Sequence, residues 1–144
     1  MTDDLYQAAI MDRAGRAARD RPLVDADGRA TADNPLCGDR VTIEVRLDGD
    51  RIAALGYRVR GCALCRASTA TISESVIGIT AAEVAVGEAV LGAVLAGSVP
   101  TASDRWAALA MFRPVRDHRS RHSCVRLPFD ALAEAIRRGR ASTP

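Results

Sequence analysis

The chain has 144 residues, 48% of them apolar, and 20 basic against 18 acidic side chains leave a net charge of +2. That length suits one domain with one core, the composition is that of a folded protein, and the near balance of charge argues against a general nucleic-acid binder. All 20 basic residues are arginine, which excludes lysine chemistry such as Schiff bases, P-loops and acetylation switches.

In chain order, residues 1–20 read as an N-terminal helix. Thr2 can cap it, Asp3 and Asp4 suit its first turn, and Leu5, Tyr6, Ala9, Ile10 and Arg13 recur at helical spacing until Pro22 ends it. Residues 20–38 are rich in Asp, Gly and Pro and read as loop with a short edge strand. Residues 40–61 form the clearest element. Val41, Ile43, Val45 and Leu47 alternate with Thr42, Glu44 and Arg46, Asp48-Gly-Asp50 turns the chain, and a second alternating run reaches Gly61. This is an antiparallel hairpin with one buried face.

The period then becomes helical, and residues 62–139 read as a helical part. Cys62, Cys65, Thr69, Ile72 and Val76 mark a helix stopped by Gly78. Thr80-Ala-Ala-Glu83 is a capping box for a second helix, which runs to about Ala96 before Gly97 and Pro100. A short helix follows from Ser103 to Phe112, then a basic loop from Arg113 to Ser123, and a last helix from Val125 to Arg138. The expected class is α+β: a small antiparallel sheet of about three strands with helices packed on one face.

Val84 to Val99 is the most apolar stretch, but Glu88 and glycines interrupt it, so it reads as core rather than membrane span. The opening Met-Thr-Asp-Asp reverses the basic-then-apolar order of a secretory signal, and a cytoplasmic setting is expected. There Cys37, Cys62, Cys65 and Cys124 stay reduced, so metal binding or thiol chemistry explains them better than disulphides.

Three of these thiols sit at junctions: Cys37 before the first hairpin strand, Cys62 at the end of the second strand opening a helix, and Cys124 opening the last helix. Hairpin geometry makes Cys37 and Cys62 neighbours, and helix N-termini lower the pKa of Cys62 and Cys124. Thiolates suit Zn²⁺ and iron–sulphur clusters. Gly38 lets Asp39 turn back toward the same ion as Cys37. Three cysteines and Asp39 would then make a tetrahedral S₃O site.

Asn34-Pro-Leu-Cys-Gly-Asp-Arg40, the Leu47-Asp-Gly-Asp50 turn, Gly61-Cys62 with Ala67-Ser68, and Arg121-His-Ser-Cys124, together with Leu5-Tyr6, span nearly the whole chain in order. This pattern resembles the IscU-like iron–sulphur scaffold family, with the fold of the NifU N-terminal domain, and within it the SufU type. Ser123 stands where the IscU type carries His, and the long interval from Cys62 to Cys124 resembles the SufU spacing, with an insertion at about 97–120. No Leu-Pro-Pro-Val-Lys segment precedes Cys124, which puts docking of the dedicated Hsp70 system in doubt.

The resemblance implies a zinc-containing sulphur acceptor for a PLP-dependent cysteine desulphurase of the SufS type, feeding downstream iron–sulphur assembly. Cys37, Asp39, Cys62 and Cys124 would bind Zn²⁺, Cys37 would leave the metal and accept the persulphide, and Arg121 would orient the partner or the displaced ligand. The rival it implies is a scaffold that holds a nascent Fe–S cluster on the same ligands and donates it. Neither nucleic acid nor membrane is an expected partner.

Blander readings stand beside these. Cys65 reads first as a small buried hydrophobe, ahead of C-x-x-C zinc ligation or a sulphur relay. His118 and His122 read as solvated loop residues. The five arginines from Arg113 to Arg126 read equally as solvated loop or as a docking surface for an acidic partner.

Overall fold

A computed structural model of the protein describes residues 7–98 and 104–142. Its sheet forms where alternation is strongest. Strands β1 (Gly28–Asn34), β2 (Asp39–Asp48) and β3 (Arg51–Arg60) run antiparallel in the order β1-β2-β3. The expected α+β class and three-stranded sheet are borne out. The short edge strand expected within residues 20–38 is β1: Gly28 pairs with Val45 and Asn34 with Asp39, so residues 35–38 are the tip of a β1–β2 hairpin.

The β2–β3 register shifts between Arg46 and Leu47, with Arg46 opposite Ala54 and Leu47 opposite Ile52. One extra residue in β3, Ala53, makes this a bulge, and it lets Ile52 enter the core against the simple alternation. The far face of the hairpin is not fully open either. Arg21 pairs its backbone with Tyr57 at the free edge of β3, the Leu23 N–H donates to the Glu44 carboxylate at 3.0 Å, and the Asp27 N–H reaches the Val45 carbonyl. Residues 21–27 therefore strap the outer face and bury Glu44.

Four α-helices, α1 (Ala8–Arg16), α2 (Ala63–Ser75), α3 (Ala81–Leu95) and α4 (His122–Ser142), complete the fold with 3₁₀ turns over Asp104–Asp117 and Arg119–Arg121. Helix α1 ends at Arg16, well before Pro22. Arg66 donates to the Ala17 and Ala18 carbonyls, and Arg21 is committed to the sheet edge, so tertiary partners take the chain out of the helix. The cap expected at Thr2, the acidic pair Asp3–Asp4 and the Leu5-Tyr6 pair lie outside the described residues, as do Pro100 and Ser103. Thr80 caps α3 as expected, its hydroxyl accepting from the Glu83 N–H at 3.3 Å.

The expected basic loop is instead helical. Trp106, Leu109, Phe112 and Val115 are buried at strict spacing of three. That is the period of a 3₁₀ helix, whose side chains at i and i+3 eclipse. The arginines between them stay outside, and α4 begins at His122 rather than Val125. Trp106 in turn meets Phe129 of α4, ring centroids 6.0 Å apart.

Helix α4 lies across the inner faces of β1 and β2, and α2 packs beside it and against α1, where Arg13 and Arg16 both pair with Glu74. The approach of α4 is tightest at Gly28, where an added Cβ would lie 2.0 Å from the Ala135 carbonyl oxygen and 2.6 Å from the Gly139 nitrogen. Gly28→Ala must push α4 off the sheet. Overpacking of this kind costs roughly 1–3 kcal/mol, and a thermal melt followed by circular dichroism should show the midpoint several degrees lower.

Candidate metal centre

The sheet and α4 meet at one end, and the chemistry-bearing residues collect there. Asn34, the last residue of β1, organises the hairpin tip. Its side-chain oxygen accepts from the Leu36 N–H at 3.2 Å, and its backbone carbonyl accepts from Cys37 and Gly38. This is an Asx turn, closed by Gly38 at φ 75°, a conformation that side chains rarely adopt. The Asn34 amide also donates to the Ser123 hydroxyl at 2.7 Å and so ties the tip to the first turn of α4. No role was expected for Asn34 or Ser123. An Asn three residues before a Cys-Gly turn was the available signal.

That tie brings the Cys37 thiol to 3.4 Å from the Cys124 thiol. One donor atom each from Cys37, Asp39 and Cys124 lie within 4.8 Å of one another. Cys62 stands outside that mutual set and joins it through Asp39, whose carboxylate accepts from the Cys62 N–H at 3.2 Å and from the Cys62 thiol at 3.7 Å. The hairpin thus sets Cys62 against Asp39, whereas Cys37 was the expected neighbour. Arg40 faces Arg60, which leaves Asp39 beside the Gly61-Cys62 turn and Cys37 farther out on the tip.

Burial divides the donors. Asp39 is 4% exposed and Cys124 fully buried, Cys62 is half-buried, and Cys37 is exposed. Among the described residues none of the ion pairs involves Asp39. A buried carboxylate beside thiols, with no guanidinium on it, is a costly arrangement unless a cation joins it. The Cys124 thiol registers that cost. Burial first, then the Cys37 thiol, Cys62 and Asp39, push it well above the usual range, so the expected lowering by the helix N-terminus is overridden.

Three of the donors, Cys37, Asp39 and Cys124, lie close enough together for one divalent ion, and Cys62, held by Asp39, would have to move in to complete a tetrahedron. Tetrahedral Zn²⁺ with Zn–S near 2.3 Å and Zn–O near 2.0–2.2 Å sets ligand atoms about 3.5–3.8 Å apart. The Cys37–Cys124 and Cys62–Asp39 separations of 3.4 and 3.7 Å are close to those edges. The donor set, three soft sulphurs and one carboxylate, also matches zinc chemistry.

The remaining candidates lie apart. Cys65 is fully buried, the third residue of α2. His122 opens α4 half-buried, its Nε2 at 3.0 and 3.2 Å from the Val115 and Arg116 carbonyls, so it fastens the 3₁₀ segment rather than standing in a solvated loop. Arg121 ends the second 3₁₀ turn, three residues before Cys124, and is half-buried. Among the described residues no helix is long and apolar enough to cross a membrane.

Comparison with known proteins agrees with this architecture. The crystal structure of a nitrogen-fixing NifU-like protein (N-terminal) from Brucella abortus superposes with a TM-score of 0.89 at 33% identity, covering 98% of each chain. The iron–sulfur cluster assembly scaffold protein IscU of Streptococcus pyogenes is 27% identical over 134 residues, 93% of this chain and 84% of that protein. The zinc-dependent sulfurtransferase SufU of Bacillus subtilis is 29% identical over 76 residues, 53% of this chain and 51% of that protein. The model of the NifU-like N terminal domain matches residues 5–125. With its sheet, its helices and its cysteine junctions in that order, the chain belongs to the NifU-like N-terminal domain family.

Proposed function

We propose that this protein serves iron–sulphur cluster assembly in the cytoplasm as a zinc-dependent sulphur acceptor. In this proposal Cys37, Asp39, Cys62 and Cys124 hold Zn²⁺, within a single domain spanning 1–144 whose 3₁₀ segment is the SufU-type insertion. Zinc, when bound, keeps these thiols deprotonated at neutral pH and brings no redox chemistry of its own. The observation that carries the proposal is the asymmetry of the donors. Asp39 and Cys124 are buried, whereas Cys37 is exposed at a hairpin tip beside Leu36, which is 95% exposed. A partner can therefore reach the Cys37 sulphur while Asp39 and Cys124 stay in place.

The partner class that fits is a PLP-dependent cysteine desulphurase of the SufS type. The Cys37 thiolate attacks the outer sulphur of the partner's cysteine persulphide, that S–S bond breaks, and the partner's thiolate leaves. Cys37 then carries the persulphide toward downstream assembly. Leu36 offers the partner an apolar contact, and Arg113, Arg116 and Arg119, all exposed, offer it charge. Arg121, next to the site in sequence, is the proposed orienting residue.

A second reading rests on the same donors and on the broad similarity to the IscU scaffold: the site holds a nascent Fe–S cluster as cargo and hands it on. The colour of the purified protein separates the two. The proposal predicts a colourless protein with about one zinc per chain by metal analysis, falling steeply in Asp39→Ala because one of four ligands is lost. A brown protein with visible charge-transfer absorption that transfers its cluster to an apo-acceptor would favour the scaffold. Cys37→Ala should leave the thermal melt nearly unchanged, since the side chain is exposed, yet abolish stimulation of the desulphurase in a sulphide-release assay. Full stimulation by Cys37→Ala would sink the acceptor role.

A further inference from the structure

Cys65 is the one thiol that sulphur acceptance leaves without a task, and its placement is specific. Cys62 is the N-cap of α2 with extended backbone, and its carbonyl accepts from the Arg66 N–H at 3.1 Å, so residues 62–66 close the first helical turn. Residues three apart on such a turn have Cα atoms about 5 Å apart, inside the roughly 4.4–6.8 Å that a disulphide spans. The pair follows a strand and opens a helix, with the first sulphur half-buried and the second enclosed. Dithiol oxidoreductases use a Cys-x-x-Cys at a helix N-terminus in this way.

The surroundings connect this pair to the metal centre. An added Cβ on Gly61 would meet the Cys65 Cβ at 3.0 Å and the Asp39 carboxyl carbon at 3.1 Å, so Cys65 and Asp39 flank one methyl-sized space. Cys62 also stands outside the mutual set formed by Cys37, Asp39 and Cys124.

We propose that Cys62 and Cys65 form a redox dithiol that reduces the accepted sulphur and releases it as sulphide. The inference rests on the persulphide-acceptor reading of Cys37. In the first step the Cys62 thiolate attacks the outer sulphur of the Cys37 persulphide, the Cys37 thiolate leaves, and Cys62 becomes the persulphide. In the second, the Cys65 thiol attacks the inner, Cys62 sulphur, and its proton passes to the departing outer sulphur. A Cys62–Cys65 disulphide forms, the outer S–S bond breaks, and hydrosulphide departs. The sulphane sulphur gains two electrons, and the two cysteine sulphurs lose one each. The chain thereby supplies sulphide at the oxidation level that iron–sulphur clusters contain, and an external dithiol must reset it after each turnover.

The test uses the zinc-loaded full chain, reduced, freed of reductant and treated with inorganic polysulphide, so that no desulphurase is involved. After desalting, sulphide release is followed and the cysteines are mapped by mass spectrometry. The wild type should release about one sulphide per chain and gain a Cys62–Cys65 disulphide, in the stoichiometry of exchange chemistry. Cys65→Ala should keep the added sulphur and release sulphide at least about tenfold more slowly, having lost the intramolecular thiol. Cys65→Ser provides the same comparison if the alanine variant folds poorly. Equal release by the variants, a Cys37–Cys124 disulphide in place of Cys62–Cys65, or no loading of any cysteine would overturn the proposal. A parallel arm with a cysteine desulphurase and cysteine separates the two claims: release with polysulphide but none with the desulphurase would count against Cys37 as acceptor while upholding the dithiol.

Discussion

The docking of α4 on the sheet is the constraint from which the site follows. Its backbone comes so close to β1 that position 28 has no room for a Cβ. At the other end of the same contact, the Asn34–Ser123 hydrogen bond fixes the first turn of the helix against the hairpin tip. Cys124 is carried to Cys37 by that contact, across 87 positions of sequence. The apolar contacts of the core supply the energy for it. Leu127, Ala131, Leu132 and Ala135 of α4 are buried with Ala30, Ile43 and Val45 of the strands. A polar donor set this sparse cannot assemble itself, because bringing carboxylate and thiols together out of water is unfavourable. Packing holds them together, an arrangement that a cation would make favourable.

Much of this was legible in residue patterns. Period two marked β2 and β3, the Thr80–Glu83 box marked the start of α3, and the Cys-Gly-Asp segment marked one wall of the centre. What could not be read had physical causes. The β3 bulge has no local signature, since Ala53 and Ala54 suit either register. Helix α1 stops early because Arg66, far along the chain, takes the Ala17 and Ala18 carbonyls just past its end. The 3₁₀ segment was legible in principle. Its apolar residues recur at three and its first part reads as helix, but the arginines from Arg113 onward draw the assignment of its end toward loop.

At the site, the residue types were readable and their partners were not. Strand geometry brings the ends of β2 and β3 together, but which residue faces Cys62 depends on a register of one or two positions. That small difference sets Asp39 there and leaves Cys37 to meet Cys124. The electrostatics diverged for a related reason. A helix N-terminus favours a thiolate by partial charges of about half a unit, whereas enclosure beside another thiol and a carboxyl opposes it with larger effects. Position on a helix is visible in sequence; enclosure is a property of the assembled fold.

In the proposed function, the division between enclosed and exposed sulphurs bears on how one small centre would both retain an ion and exchange sulphur. A fully closed shell of buried ligands would be stable and unreachable, as in structural zinc sites. A fully open one would leave reactive thiols to any oxidant. Here Cys124 and Asp39 are locked by packing and hydrogen bonds, and Cys37 rides on a four-residue tip held by a single asparagine. Displacing that tip breaks few contacts and leaves α4 and the strands in place. In that reading selectivity follows from access, because Cys37 is exposed to a partner while Cys65 is enclosed.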